Sequence, residues 1–284
     1  MIQAVIVTWN AAAVLPACLA SIASRRGVAV EVVDCGSTDA SLAQARAAGA
    51  AVRPLGRNLG YSGGHNAALR EILARADPPD YVAILNPDLV LPPGLLDRLA
   101  DLLDANPGAG LAGPARVQRP GPPKSLFGWP DARALGGGVF AVDRLWGACM
   151  LVRPAVFQAI GLFDEAYFLY WEEVDFCHRA RRAGFQALMD CRLALDHRGA
   201  GPAPHRAYYM ARNRFLFARR NIAPALRPLF HLKWTLANDS RLLLAPATRA
   251  AALAGLAAGL AGEQGRAAHP LAQPPAPPPG QPQA

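Results

Sequence analysis

None of the five cysteines (Cys18, Cys35, Cys149, Cys177, Cys191) stands in CxxC spacing, and their number is odd. No disulfide framework or zinc site is implied, and a reducing cytosol fits best. The chain also lacks an uninterrupted apolar run of about 18 residues, so no membrane span is expected. Met1-Ile2-Gln3 leads directly into a β-type run without a basic preceding region, so no signal peptide is expected either. A GxGxxG fingerprint and a phosphate loop ending in Gly-Lys-Ser/Thr are both missing, which removes the simplest dinucleotide and nucleoside-triphosphate readings. Lysine is nearly absent, with Lys124 and Lys233 alone among 29 basic residues. Acids are scarce in one region: between His205 and Arg241 eight cations face only Asp239, a local balance of +7 within a total of +8. The remainder is near neutral, which argues against a nucleic-acid partner and for an anionic surface or ligand met by one region.

At 284 residues the chain can bury one large core or two small ones. Apolar β runs at residues 4–8, 28–33, 51–52 and 81–85 alternate with helical spacing at 14–24, 40–48, 65–74 and 93–103. Strands that are apolar throughout, in βαβα order, predict an α/β fold with a mostly parallel, Rossmann-like sheet covered on both faces. Residues 114–138 are rich in proline and glycine and read as a long mobile loop. A strand at 147–152, helices after Pro154 and within 161–184, and a strand at 185–189 follow. From about residue 207 the pattern turns helical, and the Pro/Gln/Ala-rich end reads as disordered. The expected division is a catalytic-type domain over 1–205 (halves 1–90 and 91–205), a basic helical extension over 206–262, and a disordered tail over 263–284.

Leu85-Asn86-Pro87-Asp88 follows a buried run, and open α/β sheets place their ligand chemistry at such strand ends. An Asp held there by Pro87 can reach a divalent cation riding on a diphosphate, since hard cations prefer oxygen ligands; a plain Asn-Pro-Asp turn is the simpler alternative. Asp34 in Val33-Asp34-Cys35-Gly36-Ser37-Thr38-Asp39 can accept from the ring N–H of a base, with Ser37 and Thr38 near a ribose; Asp39 reads as a helix N-cap. Residues 57–66 are a glycine-rich loop entering a helix, where the backbone can approach an anion or simply turn. Residues 163–175 crowd aromatics with the acids Asp164, Glu165, Glu172, Glu173 and Asp175, groups suited to sugar faces and sugar hydroxyls. The last three also begin a helix ending in Arg179, Arg181 and Arg182, the charge order that helix electrostatics favours. His197 follows a strand and is either a ligand of the same cation or diphosphate or a structural histidine.

With these segments in order, the chain resembles the inverting glycosyltransferases of the GT-A fold, family 2, and among them the rhamnosyltransferase-like bacterial members. The likeness covers residues 3–221. It rests on Val7-Thr8-Trp9-Asn10, the Asp34 segment, Asn58-Leu59-Gly60 with Gly63-Gly64-His65-Asn66, Leu85-Asn86-Pro87-Asp88, Gly147–Arg153, Gly161–Glu165, Phe168–Asp175 and Arg212-Asn213. The resemblance implies that Thr8, Asn10, Asp34 and Ser37 hold the base and ribose of a nucleoside-diphosphate sugar, with Asn58, Gly64, Asn66 and Asn86 lining the same pocket. Asn86 and Asp88 stand at the family's Asp-X-Asp position, so Asp88, with His197, would hold Mn²⁺ or Mg²⁺. Glu172-Glu173 stands at the family's Glu-Asp pair, so Glu173 would be the general base, one methylene longer than usual, with Glu172 and Asp164 beside it. The implied reaction moves rhamnose or a similar hexose from a dTDP- or UDP-sugar to a glycan or lipid-linked acceptor for the cell envelope, in the cytoplasm at the inner face of the membrane. The basic, aromatic stretch 206–262 suits an anionic membrane surface or a helical appendage packed on the domain, and Arg212 alternatively points at donor phosphates. A non-catalytic nucleotide-sugar-binding protein and, further off, a Rossmann-type oxidoreductase or methyltransferase remain the alternative readings.

Overall fold

The side chains of β1 (Ile2–Thr8) alternate between two cores, as the period-two geometry of a strand requires. Ile2, Ala4 and Ile6 pack with Leu15 and Cys18 of α1 (Leu15–Ser21), Ala45 of α2 (Ser41–Ala47) and Leu95, Leu96 and Leu99 of α4 (Leu95–Asp104). Val5 faces the opposite core, with Ala68, Leu69 and Ile72 of α3 (Gly60–Leu73), Phe157 of α5 (Pro154–Ile160) and Phe176 of α6 (Glu172–Arg182). Helices therefore cover both faces of one sheet. The computed structural model describes residues 1–116, 132–195, 203–236 and 243–272.

The sheet runs β3-β2-β1-β4-β8-β5-β9-β7-β6. β2 (Val28–Asp34), β3 (Ala51–Pro54) and β4 (Tyr81–Leu85) extend β1 in parallel, as the apolar runs predict. The second half departs from that pattern. β8 (Cys149–Val152) is antiparallel to both β4 and β5 (Ala109–Arg116), β5 is parallel to β9 (Gln186–Leu195), and β9 is antiparallel to β7 (Val139–Val142). The expected loop over 114–138 is corrected at both ends. β5 continues to Arg116, and β6 (Ala132–Gly136) turns through Gly136-Gly137-Gly138 into β7. These glycines take φ of 92, 55 and 79°, which only glycine adopts cheaply three times in succession.

α3 begins at Gly60, inside the expected glycine loop. Glycine costs a helix roughly 1 kcal/mol relative to alanine, and here close packing offsets that cost. A Cβ on Gly64 would lie 2.6 and 2.8 Å from the Val7 methyls.

The last third is helical, as expected, with α7 (Pro204–Asn221), α8 (Arg227–Trp234) and α9 (Pro246–Ala261). α9 crosses α7 at near-backbone distance, because a Cβ on Gly255 would meet the Tyr208 carbonyl oxygen at 2.2 Å. The expectation of disorder from residue 263 is overturned as far as Ala272. Gly265 N–H donates to Ala166 O at 2.6 Å, Ala267 N–H to the Tyr209 hydroxyl at 3.0 Å, and Ala267 and Ala272 are buried; residues 273–284 lie outside the described residues. Among the described residues no helix is long and apolar enough to cross a membrane.

Candidate active site

The C-terminal ends of β1, β2 and β4 meet at one edge of the sheet. Thr8 pairs in register with Asp34, and Leu85 pairs with Ile6, so Asn86–Asp88 leave the sheet beside the β1 end. Thr8 Oγ1 and Asp34 Oδ1 are buried and have no hydrogen-bond partner. The other Asp34 oxygen accepts from Gly36 N and Ser37 N at 3.2 and 3.1 Å. Asn10, with φ of 53°, donates its N–H to Ser37 Oγ at 2.9 Å and accepts from Thr38 N at 2.8 Å. Asp39 stands one residue before the cap position of α2, which Ala40 holds, so the expected N-cap is corrected: it accepts from Ser41 N in the turn before the helix and reaches across to Ala12 N. The β1 and β2 loops are thus laced into one rim around two unsatisfied oxygens. Buried polar groups are rarely left so, and a ligand's donors are the natural complement.

Asn86 N–H donates to Ala148 O at 2.9 Å, which ties the β4 end to the loop before β8. Gly147 in that loop faces Glu173: a Cβ at 147 would stand 3.1 Å from Glu173 Cβ and 3.2 Å from its Cγ. Tyr61 of α3 donates its hydroxyl to Gly147 O at 2.6 Å, closing this wall.

Glu172 and Glu173 open α6. Glu172 is buried and Glu173 half-buried, and each keeps one buried carboxyl oxygen without a hydrogen-bond partner. Burial raises both above the usual carboxylate range. At Glu172 the repulsion of Glu173 adds to it, while at Glu173 backbone hydrogen bonds and Arg144 pull the other way. Burial, with the same two acids, also lifts the Tyr61 hydroxyl. The Tyr170 hydroxyl is pushed up to about 12, chiefly by burial; Arg206 opposes the shift, and Glu172, Glu173 and Asp88 add to it. Asp88 and the acid pair therefore all act electrostatically on one tyrosine, whose ring lies 5.9 Å from the Arg206 guanidinium.

The turn feeding α6 is strained. Phe168, Tyr170 and Trp171 have φ of 64, 66 and 78°, conformations that cost roughly 1–3 kcal/mol each and cluster at functional sites. Trp171 recovers part of this by burial against Phe217 and Trp234 at centroid distances of 5.3 and 4.6 Å.

Several expected site residues have structural partners instead. Asn66 is buried and turns both ends inward, to Phe163 O, Phe163 N and Glu165 Oε1 at 2.8, 3.1 and 2.9 Å. Gly64 serves the helix–sheet contact. Asp164 pairs with Arg220 and accepts from Ala166 N, so its carboxylate is already committed. Asn58 accepts from Gly60 N and starts α3. Arg212 is buried, with its donors on Asn213, Gly265 and Tyr167 rather than on a phosphate site. His197 lies outside the described residues. Tyr61, Gly147, Tyr170 and Arg206 join the site without having been singled out in the sequence; a glycine facing an acid across the fold leaves no mark in spacing.

Residues 3–129 match the family described as Glycosyl transferase family 2. The N-acetylglucosaminyl-diphospho-decaprenol L-rhamnosyltransferase of Mycobacterium tuberculosis is 32% identical, over 78% of this chain and 84% of its own length. The chain belongs to glycosyl transferase family 2. Among solved structures, the family 2 fold is matched by the mannosyltransferase PcManGT from Pyrobaculum calidifontis in complex with GDP-Man and Mn²⁺. That match has a TM-score of 0.59 at 20% identity and covers 95% of this chain and 77% of that one. Glucosyl-3-phosphoglycerate synthase from Mycobacterium tuberculosis, with Mn²⁺, UDP-glucose and glycerol 3-phosphate, matches with a TM-score of 0.58 at 18% identity, covering 79% and 81%. The chain is a nucleotide-sugar-dependent hexosyltransferase with an α/β fold of the GT-A type.

Metal fit follows from the donor set. Among the described residues no three His, Cys, Asp or Glu side chains gather to hold an ion. A Mg²⁺-type cation held largely by substrate phosphates needs only one or two protein carboxylates, and Asp88 at the β4 end supplies one.

Proposed function

We propose that this family 2 enzyme is an inverting transferase that moves rhamnose or a similar hexose from a dTDP- or UDP-sugar to a hydroxyl of a lipid-linked glycan acceptor in cell-envelope synthesis. The observation that carries the proposal is that buried carboxyl oxygens without a hydrogen-bond partner stand at the end of β2, on Asp34, and at the head of α6, on Glu173, with Asp88 just past the end of β4. Thr8, Asp34, Asn10 and Ser37 hold the base and ribose, with the unsatisfied Thr8 and Asp34 oxygens accepting from the nucleoside. Asp88, with His197, would hold a divalent cation, which when bound would supply positive charge against the leaving diphosphate. Glu173 takes the proton from the acceptor hydroxyl, which attacks the anomeric carbon on the face away from the diphosphate, so one displacement inverts the centre. A base held above the ordinary carboxylate range is better matched to that proton than a freely solvated one. Room for the extra methylene of Glu173 comes from the missing side chain at Gly147. The mycobacterial relative, an L-rhamnosyltransferase acting on N-acetylglucosaminyl-diphospho-decaprenol by its name, supports this choice of donor sugar and acceptor class.

A lipid-linked acceptor brings the enzyme to the cytoplasmic face of a membrane. The basic character of residues 206–262 is divided: Arg212 and Arg214 are buried and Arg219 and Arg227 bond backbone carbonyls, whereas Arg206, Arg220, Lys233 and Arg249 are exposed, Arg220 meeting Asp164. The contact surface is a ridge of Leu226, Leu229, Leu232 and Leu236, each more than half exposed, with Lys233 beside it. Phe230 and Trp234 on the other side of α8 are buried. An amphipathic helix of this kind lies in a bilayer interface.

The test is calorimetric titration with UDP and with dTDP, each with Mn²⁺, Mg²⁺ or EDTA, alongside transfer assays. Binding that needs the cation and disappears in Asp88→Ala, together with a Glu173→Gln variant that binds donor but transfers nothing, is the expected result. No binding of either nucleotide under any condition would overturn the donor assignment, and full turnover by Glu173→Gln would overturn the base.

A further inference from the structure

The acid pair is presented by a turn that its own sequence does not favour. Among the described residues, four non-glycine positions have positive φ, and three of them are Phe168, Tyr170 and Trp171. What holds them comes from the helical extension, more than forty residues further along the chain. The Asn213 side-chain nitrogen lies 2.9, 2.8 and 2.8 Å from the carbonyl oxygens of Tyr167, Leu169 and Tyr170. Three carbonyls converging on one point repel each other unless a donor stands between them. The Asn213 amide is oriented for this task, because its oxygen accepts from Arg212 Nε at 2.8 Å. Arg212 in turn reaches Tyr167 O at 3.1 Å and Gly265 O at 2.7 Å, and Trp171 Nε1 donates to Met210 O at 3.1 Å. From the other side, Tyr61 N–H donates to Phe168 O at 2.9 Å. Gly60 leaves room for that approach, since a Cβ there would sit 2.3 Å from the same oxygen.

We infer that Asn213 is a positioning residue for the transfer reaction: by gathering the carbonyls of Tyr167, Leu169 and Tyr170 it fixes the left-handed turn that sets Glu173 against Gly147 and Tyr61. The inference rests on the reading of Glu173 as the base. It makes the C-terminal helices part of the catalytic apparatus, although no atom of Asn213 touches substrate. Neither Arg nor Lys, each without an acceptor, could take the Arg212 bond, and a carboxylate would face three carbonyl oxygens with a like charge.

The decisive variant is Asn213→Asp, which keeps the shape and removes the donor, compared with Arg219→Gln, a change on the same helix α7 that breaks a bond to Gly259 O of α9 without touching the turn. Asn213→Asp should lower kcat about 10- to 100-fold, the scale of a displacement approaching 1 Å, while Mn²⁺-dependent affinity for UDP or dTDP stays at the wild-type value. The acidic limb of the kcat/KM profile should move to lower pH as Glu173 loosens into water. The charged and titratable groups that interact with it are Glu172 and Cys177 on its own helix, Tyr61 from α3, Arg144 before β8, and Tyr170 in the turn. Arg219→Gln should leave limb and kcat in place. Should Asn213→Asp fail to fold and so bind no nucleotide, Asn213→Ser carries the test, since it is uncharged and keeps one donor; it should show the same shift to a smaller extent. An unmoved limb with kcat near wild type in a folded Asn213 variant, or an equal loss in Arg219→Gln, would overturn the inference. Turnover surviving in Glu173→Gln would overturn the base reading instead, so the two failures are distinguishable.

Discussion

Gly147→Ala is the smallest change that reports on the geometry of the base. Gly147 has no left-handed φ, so alanine brings no backbone penalty of its own, and the whole effect comes from the new methyl. That methyl would stand 3.1 Å from Glu173 Cβ, 3.2 Å from Glu173 Cγ and 3.3 Å from the Tyr61 hydroxyl. Carbon atoms in contact prefer about 3.5–4.0 Å, so the two sides must separate by roughly 0.4–0.8 Å. Glu173 Cβ is fixed to the first turn of α6, so the displacement is passed to the carboxylate rather than absorbed by a side-chain rotation. If about 1 Å of misplacement costs about a hundredfold, half of it costs about tenfold in kcat. Donor affinity should be unchanged, since the methyl meets Glu173 and Tyr61 and none of Thr8, Asn10, Asp34 and Ser37. Overpacking of this size also costs about 1–3 kcal/mol of stability. Steady-state kinetics with saturating donor, a melting curve and nucleotide titration measure the three quantities. A well-folded Gly147→Ala enzyme with wild-type kcat would refute the contact between Gly147 and the base as a determinant of catalysis.

Glu172→Gln removes a carboxyl that folding holds protonated above its ordinary range. The native state of the parent binds more protons than the unfolded chain there, so its stability falls as pH rises from the ordinary carboxylate value through the raised one. The variant lacks this fall, and its melting-temperature advantage should widen as pH rises above the ordinary carboxylate range; parallel curves would contradict the assignment. Leu229→Glu with Leu232→Glu should abolish sedimentation with vesicles containing anionic phospholipid and leave metal-dependent nucleotide binding untouched; unchanged sedimentation would remove the ridge from the membrane contact.

The parallel half of the sheet was legible because each strand is a continuous apolar run and each helix has its own spacing. The start of α3 was not. Gly60, Gly63 and Gly64 argue locally for a loop, and only Val7 and Phe168, distant in sequence, turn them into helix positions where no side chain fits. The β6–β7 hairpin and the return of residues 263–272 were hidden for a related reason, since glycine, alanine and proline content describes an isolated chain, whereas Arg192, Tyr209 and Arg212 supply the partners. At the site, strand-end positions such as Asp34, Asn86 and Asp88 follow from the topology of an α/β sheet. Sequence does not say whether a polar side chain faces a ligand or its own backbone. Asn66 and Asp164 look as suitable as Asp34 and Glu173, and they differ only in what folding brings beside them: the latter two each keep a buried oxygen without a partner.

The hydrogen bond from Gly265 to Ala166 closes a loop of about a hundred residues around the acid-bearing turn. Contacts of such span form late, because the closure entropy must be met before they contribute. Strands β1 to β3 pair over short spans, Ile2 with Val28 and Glu31 with Ala51, and can assemble while the ribosome is still extending the remainder. In the proposed reading, the growing polypeptide therefore builds the strand ends that carry its nucleotide rim well before it can close the turn that carries its proton acceptor.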